Sequence, residues 1–421
     1  MLWTQDSSNA VLNTRVSADA QNVLGTSTVF TYGDSVNNSV ALIPLSGGLR
    51  AFFAGLFSGD QNHDGGLSTA TSTDGVSWSV QPTLASQASG ANEASTVYAA
   101  GGIGGTLLKS GAPLSIWGDS GSGYHVGTST GTPDVRYTSS LATASAPNAA
   151  TDSATGAVAI GWNDIDLESV RVSIVQQTTS PWFPPGASVA PPGGNAPDLQ
   201  HTVGMTGRSG GAGGIYVAYL RGSNPFDSSP AIWRVGAPNA ETLTNADGVL
   251  SGVTMGQGGR LWAFWREEDT TKIHIRRSNT DADTWGADTV VKPPGGTSTV
   301  WNLKGEGSAV SCGALDLVAL VTAGGATANF HQRVLAGLDL KKKILNGGKG
   351  AKEKVKFTTL DAGDPVNAKV KFGKVQKATG DDGKVKMKIK RKRRTRKVKA
   401  TASDECYAPD KLKVKVKKRR L

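Results

Sequence analysis

The hydrophobic positions of the first 338 residues fall into short apolar stretches, and most of these stretches end in an aromatic residue. Glycine precedes each stretch and a polar loop follows it, which is typical of β-strands joined by tight turns. Residues 49–53 and 261–265 agree almost residue for residue. Further copies lie at 113–117, 157–162 and 215–219, and a sixth copy without the aromatic lies at 315–321. The pattern therefore predicts a repeated β-unit.

The spacing of these copies indicates the kind of repeat. Their strand ends at 53, 117, 162, 219, 265 and 321 are separated by 64, 45, 57, 46 and 56 residues. A four-stranded propeller blade needs about 40–50 residues plus loop insertions. A β-sandwich would instead show a turn signal every ~8–12 residues without this longer period. We therefore predict an all-β chain with a six-bladed β-propeller over residues 1–338.

From residue 339 onwards the pattern changes to strict alternation. Lysine alternates with Val, Phe, Met, Ile or Leu at 354–357, 369–372, 384–390 and 411–416. A period of two with one apolar face predicts half-buried antiparallel strands. We expect a small antiparallel β-sandwich over residues 339–421.

The charge changes at the same point. Residues 339–421 contain 29 Lys and Arg against 9 Asp and Glu, a net charge of +20, whereas the preceding residues contain 16 against 25, a net charge of −9. Solubility asks for a net charge of about 2–8 in a small domain. The excess predicts an anionic polymer as partner, and the densest basic run supplies the candidate residues Arg391, Lys392, Arg393, Arg394 and Arg396. No aromatic platform accompanies this run, so nucleic acid is expected to bind only non-specifically.

Two segments after the repeated strands carry a turn signature. Residues 71–78 contain Asp74, Gly75 and Trp78 and are similar to the Ser-x-Asp-x-Gly-x-x-Trp turn, with Gly75 directly after Asp74, and residues 278–285 are a second copy without the glycine. These segments resemble the Asp-boxes (BNR repeats) of sialidases. In the first blade, residues 42–44 and 49–53 precede the turn in the order that sialidases show. The resemblance implies a sialidase-like propeller, and the Asp-box itself reports on the fold rather than on catalysis.

Sialidases hold the carboxylate of sialic acid with three arginines, because bidentate guanidinium pairing fixes a carboxylate strongly. Leu42 stands where the resemblance places the first arginine, and residues 54–57 contain none where the second is expected. The tyrosine–glutamate nucleophile pair of the family has no match either. We therefore expect the chain to be degenerate as a sialidase.

The sandwich segment has a resemblance of its own. Residues 361–370, the Asp-Asp-Gly turn at 381–383 and the Cys-Tyr-Ala-Pro segment at 406–409 resemble bacterial Ig-like and carboxypeptidase-regulatory-like modules, with Cys406 in place of glycine. This resemblance implies an Ig-like sandwich.

The loops that follow the repeated strands are the candidate ligand site, because equivalent loops of successive blades gather at one face of a propeller. Aromatic strand ends interleaved with carboxylates and amides suit a sugar, which needs an apolar surface and hydrogen-bonding groups. The predicted ligand-binding residues are Trp117, Tyr124, Trp162, Asn163, Asp164, Tyr219, Arg221, Trp265, Arg266 and Trp301. Paired carboxylates could serve glycoside hydrolysis, and the catalytic candidates are Glu306, Asp119 and Glu267.

Asp60, Asn62 and Asp64 precede Gly65 at alternate positions, as at the start of a calcium loop. The later bidentate Glu is replaced by Thr71. A structural Ca²⁺ site and an ordinary turn both remain open, and we expect no required cofactor.

Further features concern location. The chain has no apolar run of about 18 residues, so no membrane span is expected. Met1 is followed at once by Leu2 to Asp6 without a basic segment and apolar run, so either the protein is cytosolic or the sequence begins at a trimmed end. The architecture favours a secreted or cell-surface protein whose leader has been removed. Cys312 and Cys406 are far apart and fall in different predicted domains, so no disulfide framework is expected.

Three functions follow. The first is glycan recognition by a catalytically silent propeller that its basic domain tethers to an anionic surface. The second is an active exo-glycosidase that uses carboxylates on the loop face. The third is a protein-binding scaffold.

Overall fold

The computed structural model describes residues 2–5, 10–16, 23–31, 35–56, 65–85, 103–119, 123–128, 135–138, 144–164, 169–175, 187–194, 202–209, 213–222, 228–307, 311–345 and 351–418. These residues form 33 strands and no α-helix. Within these ranges no helix has the length and hydrophobicity needed to cross a membrane.

Among the described residues, seven consecutive antiparallel sheets precede residue 335. The first two consist of β1 (Leu2–Gln5), β2 (Ala10–Val16) and β3 (Val23–Thr31), then β4 (Ser35–Leu45), β5 (Gly48–Leu56), β6 (Gly65–Ser72) and β7 (Ser79–Ala85). The third and fourth consist of β8 (Ile103–Leu107), β9 (Pro113–Asp119), β10 (Gly123–Thr128) and β11 (Val135–Thr138), then β12 (Ala144–Thr151), β13 (Val158–Asp164) and β14 (Ser169–Ile174). The fifth and sixth consist of β15 (Gly204–Gly207), β16 (Ile215–Arg221), β17 (Ser229–Arg234) and β18 (Glu241–Thr242), then β19 (Gly248–Met255), β20 (Leu261–Glu267), β21 (Ile273–Arg277) and β22 (Thr289–Val291). The seventh consists of β23 (Thr297–Glu306), β24 (Leu315–Ala323) and β25 (Ala326–Val334).

The first strands of these sheets contact one another in order: β1 contacts β4, and the series continues through β8, β12, β15 and β19 to β23. Successive sheets joined at their first strands are the arrangement of a β-propeller. The six repeated stretches are the second strands of the second to seventh sheets, namely β5, β9, β13, β16, β20 and β24. The all-β class and the repeated sheets are therefore confirmed, and the sheet β1–β3 precedes the six sheets that the repeat revealed.

The second strands β13, β16 and β20 lie between two neighbouring sheets, so both of their faces are buried. All seven residues of β13 are buried, as are the first six of β16 and the first five of β20. Trp162 packs in a core with Leu114 and Ile116 of β9, and Trp265 packs in one with Tyr216 and Ile232 of the preceding sheet. The continuous apolar stretches in the sequence reflect this burial on both faces.

The turn after β6 has the hydrogen bonds that its sequence predicts. Asp74 Oδ1 accepts hydrogen bonds from the backbone N–H groups of Val76 (2.7 Å) and Ser77 (2.8 Å), and Gly75 adopts a φ of +69°. These backbone hydrogen bonds lower the pKa of Asp74 to about 2. In the second copy Asn279 accepts the equivalent bonds, from the N–H groups of Asp283 and Thr284.

The remaining described residues form two sheets packed face to face. One contains β26 (Asp339–Ile344), β27 (Lys352–Asp361), β28 (Asp364–Pro365) and β31 (Lys384–Lys390), and the other contains β29 (Lys369–Phe372), β30 (Val375–Ala378), β32 (Arg396–Asp404) and β33 (Tyr407–Val416). Phe357 and Phe372 meet edge to face in their shared core, with ring centroids 5.2 Å apart. The segment is thus a two-sheet sandwich, while its relation to Ig-like modules stays a prediction.

The expectation about the cysteines was wrong. Cys312, which lies between β23 and β24, forms a disulfide with Cys406, which lies between β32 and β33; their Cα atoms are 4.8 Å apart. Distance along the chain misled here, because the start of β33 lies against the propeller: Ala408 N donates to the carbonyl of Ala336 (2.9 Å), a residue of the core of the last propeller sheets.

Candidate functional site

Four of the predicted residues occupy equivalent positions in four successive sheets. Asp119, Asp164, Arg221 and Glu267 are the last residues of β9, β13, β16 and β20, the second strands of their sheets. Glu267 pairs with Gly248 at the start of β19, and Asp164 pairs with Ala144 at the start of β12. These strand ends lie on the same side of the propeller, which we call the loop end. The topology therefore brings this part of the predicted set to one side.

The described side chains at the loop end are held by neighbours in the protein. Glu267 accepts from Lys272 Nζ (2.8 Å) and Thr270 Oγ1 (3.0 Å), and the hydrogen bonds from Lys272 and Thr270 lower its pKa. Arg266 donates to the carbonyls of Glu268 and Thr270, and the exposed Arg221 donates to Thr242 Oγ1 (3.1 Å). Asn163 and Asp164 are buried. Arg266 and Glu267 thus close the β20–β21 turn.

The aromatic residues predicted to stack on a sugar need correction. Trp162, Tyr219 and Trp265 are buried in the cores between sheets. Tyr219 Oη donates to the carbonyl of Pro192 (2.8 Å), and burial raises its pKa to about 12. These rings fill space between neighbouring sheets, because the second strands have no solvent-facing side at these positions. Packing explains them without a ligand.

Glu306 also lies elsewhere than expected. It is the last residue of β23 and pairs with Asp316 near the start of β24, whereas the loop end follows the last residue of β24, Ala323. Glu306 is therefore on the opposite side of the propeller from Asp119 and Glu267. The three predicted catalytic carboxylates do not form one site, because a first strand and a second strand of a meander end on opposite sides.

The remaining propeller predictions fall into three groups. Trp117 and Tyr124 lie in β9 and β10, where Tyr124 pairs with Gly118. Asp60, Asn62 and Asp64, the predicted calcium ligands, lie outside the described residues. Trp301 is 51% exposed and is described further below.

In the sandwich, Arg391 differs from the rest of the basic run. Its guanidinium forms a bidentate pair with Glu353 at 3.0 and 3.2 Å, and both side chains are fully buried. Lys392, Arg393 and Arg394 are exposed and Arg396 is half-buried. Residues Arg391 to Arg394 line an open pocket of about 550 Å³. Arg391 thus anchors the turn, and the three residues after it present charge to solvent.

A larger basic surface lies beside this turn. In β26, β27 and β31, opposite residues pair so that Lys343, Lys356 and Lys386 form one row and Lys354 and Lys388 form the next. Side chains directly opposite one another share a face of the sheet. The complete set, which we call the lysine face, is Lys341, Lys343, Lys352, Lys354, Lys356, Lys384, Lys386, Lys388 and Lys390.

The lysine face is almost entirely exposed: only Lys356 is half-buried. Two carboxylates adjoin it, Asp339 at 3.1 Å from Lys341 and Asp382 at 3.3 Å from Lys384. Neighbouring strands are about 4.8 Å apart and alternate residues along one strand about 6.7 Å apart. The ammonium groups therefore stand on a lattice that is dense enough to attract several anionic groups at once.

The sequence did not reveal how the sandwich is joined to the propeller. Arg277 of β21 forms an ion pair with the buried Asp361 at the end of β27, and Arg260 forms one with Asp364 at 2.6 Å. The guanidinium of Arg277 also lies between the rings of Trp262 and Tyr407, 5.2 and 5.3 Å from their centroids. With the disulfide, these contacts fix the sandwich to the sixth and seventh sheets. A buried arginine in the apolar alternation of β21 was the available signal.

The joint also determines which end of the sandwich lies far from the propeller. It involves the end of β27 at Asp361, whereas Glu353, at the other end of β27, holds the turn that starts at Arg391. The basic turn is thus at the end of the sandwich far from the propeller.

No protein-family model matches the chain, and no curated protein is similar to it in sequence. Among solved structures, the SapL1 lectin in complex with α-methyl fucoside is 12% identical with a TM-score of 0.42, over 71% of this chain and 95% of that one. The six-bladed Aleuria aurantia lectin is 10% identical (TM-score 0.40; 71% and 95%). An exo-β-1,3-galactanase from Phanerochaete chrysosporium is 11% identical (TM-score 0.38; 90% and 93%). The fold assignment rests on the strand order described above.

Proposed function

We propose that this protein is a secreted or cell-surface glycan-recognition protein whose sandwich holds it on an anionic polymer. The lysine face carries the proposal. Nine lysines lie on one face of one sheet, and Asp339 and Asp382 adjoin two of them, so the described residues of this face carry a large excess of positive charge. Such a surface binds polymers that carry sulfate, carboxylate or phosphate groups at short intervals, because many weak contacts act together.

The disulfide supports the location. Disulfides persist in oxidising compartments and are rare in the cytosol. Cys312 and Cys406 pair across the joint between the propeller and the sandwich. A protein that depends on this bond belongs outside the cytosol, where anionic surface polymers are found.

A glycosidase is the weaker alternative. Hydrolysis by two carboxylates needs them about 5–9.5 Å apart on either side of the bond that is cut. Glu267 pairs with Lys272 at the loop end, and Glu306 lies on the opposite side of the propeller. A scaffold role has no specific observation in its favour.

The test compares two faces of the sandwich at equal net charge. One variant carries Lys354→Glu, Lys386→Glu and Lys388→Glu on the lysine face. The control carries Lys371→Glu, Lys399→Glu and Lys413→Glu, all exposed lysines of the other sheet. Binding to immobilised heparin, polyphosphate and duplex DNA is measured against salt concentration.

A lysine at an anionic surface contributes about 1 kcal/mol, so loss of three should weaken binding to heparin about 100-fold. We expect the control to lose less than about tenfold, from the change in net charge alone. Equal losses in both variants would show that net charge, and not this face, is responsible. Binding to none of the polymers would disprove the proposal.

A further inference from the structure

The last propeller sheet, β23–β25, has one face in the core and one turned away from it. The core side of β24 consists of Leu315, Leu317, Ala319 and Val321. Because side chains alternate along a strand, the opposite face consists of Asp316, Val318, Leu320 and Thr322. We call this side of the sheet, with its cross-strand neighbours, the outer face.

An exposed tryptophan is the main feature of the outer face. Trp301 is 51% exposed, at a point where the register of β23 against β24 shifts between Val300 and Asn302. Its indole Nε1 donates to Thr322 Oγ1 at 2.7 Å, and Thr322 Oγ1 lies 3.3 Å from Thr327 Oγ1. The ring is therefore held in place by a hydrogen bond while much of its surface meets solvent. A fixed aromatic ring loses little freedom when a ligand binds.

Hydroxyl and amide groups share the outer face with this ring. Thr299, Thr322 and Thr327 pair across the three strands, and Asn302 and Asn329 pair with Leu320 from its two sides. Side chains paired in this way stand about 4.5–5.5 Å apart. The outer face is thus an aromatic ring beside a flat array of hydrogen-bonding groups.

The charges of the outer face are balanced, unlike those of the lysine face. Asp316 accepts from Arg333 at 2.8 and 2.7 Å and lies 3.4 Å from His331. Lys304 and Glu306, both exposed, follow Trp301 on β23. Two cations thus accompany two anions. The surface has no excess charge that would attract an ionic ligand.

We infer that the outer face of β23–β25 is a binding site for an uncharged oligosaccharide, with Trp301 stacked on a sugar ring. A pyranose has an apolar face of C–H groups and an edge of hydroxyls, and the site offers an aromatic surface with hydroxyls and amides around it. The inference rests on the proposed function and names the class of glycan that the propeller takes. It places the site on the outer face of the sheet β23–β25, where Thr322 directly precedes Ala323 at the loop end.

The experiment uses the full chain and an array of uncharged oligosaccharides of glucose, galactose, mannose, xylose and fucose, with titration calorimetry on the members that bind. Trp301→Ala should weaken binding at least about tenfold, whereas Trp301→Phe, which keeps a ring, should stay within about threefold. Val290→Ala is the matched control, because Val290 is a large apolar side chain, 44% exposed, on the sheet β19–β22. It should leave binding unchanged.

The same samples are tested on heparin, so the two proposals can fail separately. Retained heparin binding without any saccharide bound below a Kd of about 1 mM would disprove the inference about Trp301 alone. Saccharide binding that Trp301→Ala does not weaken would also disprove it. Loss of face-specific heparin binding would disprove the tethering proposal and leave the Trp301 site standing.

Discussion

The propeller and the sandwich each contain an arginine that forms a bidentate pair with a carboxylate, but the pairs differ in burial. Arg391 and Glu353 in the sandwich are both 0% exposed, whereas Arg333 and Asp316 in the propeller are 20% and 23% exposed. A buried charge must be paired, while a half-exposed one can turn to water. The same chemistry is therefore structural in the sandwich and part of a surface in the propeller.

Breaking the sandwich pair should give the largest effect. Glu353→Ala leaves the Arg391 guanidinium buried without its carboxylate, and we expect it to lower the free energy of unfolding by about 3–5 kcal/mol. The double variant Glu353→Leu with Arg391→Met removes both charges and should recover most of this loss. Chemical denaturation measures both, and a loss below about 1 kcal/mol in Glu353→Ala would show that the pair is hydrated.

The two regions also differ in how much their sequences reveal. In the sandwich, lysine alternates with Val, Phe or Met because one face of the strand is exposed to solvent and the other is buried. This alternation predicted burial correctly: β27 alternates exposed or half-buried residues with buried ones. In the propeller, β13 is buried on both faces. Its sequence predicted a strand but could not indicate that Trp162 fills a core.

The positions of the candidate site residues were also only partly predictable from the sequence. The repeat predicted that Asp119 and Glu267 end equivalent strands, because equivalent positions in a repeat are equivalent in space. It could not place Glu306, since that required knowing whether β23 was a first or a second strand of its sheet. The apolar alternation of β21 marked Arg277 as a buried residue, but the sequence could not identify Asp361 as its partner, because pairing across 84 residues leaves no local pattern.

Removing the disulfide at this joint should give the second largest loss of stability. The disulfide closes a separation of 94 residues between the two regions. Replacing both Cys312 and Cys406 by Ala should lower the free energy of unfolding by about 2–4 kcal/mol, because the unfolded chain gains freedom. A reducing agent should destabilise the natural protein by a similar amount and leave the variant unchanged. Equal stability with and without reductant in the natural protein would refute this.

The smallest effect on stability is expected for the pair of Arg333 and Asp316 in the propeller. Burial alone would raise the pKa of Asp316, but hydrogen bonds from His331 and Arg333 outweigh it and lower the pKa to about 2. A carboxyl whose folded pKa lies below its unfolded value of about 3.9 stabilises the fold above that value and loses this contribution as the pH falls from about 4 to 2.

Since the Arg333–Asp316 pair is half-exposed, we expect it to contribute about 1 kcal/mol to the free energy of unfolding. Asp316→Asn should be less stable by this amount at pH 7 and equal to the natural protein near pH 2, as measured by urea denaturation at each pH. A constant difference between the two proteins from pH 7 to pH 2 would mean that Asp316 acts through packing rather than through its charge.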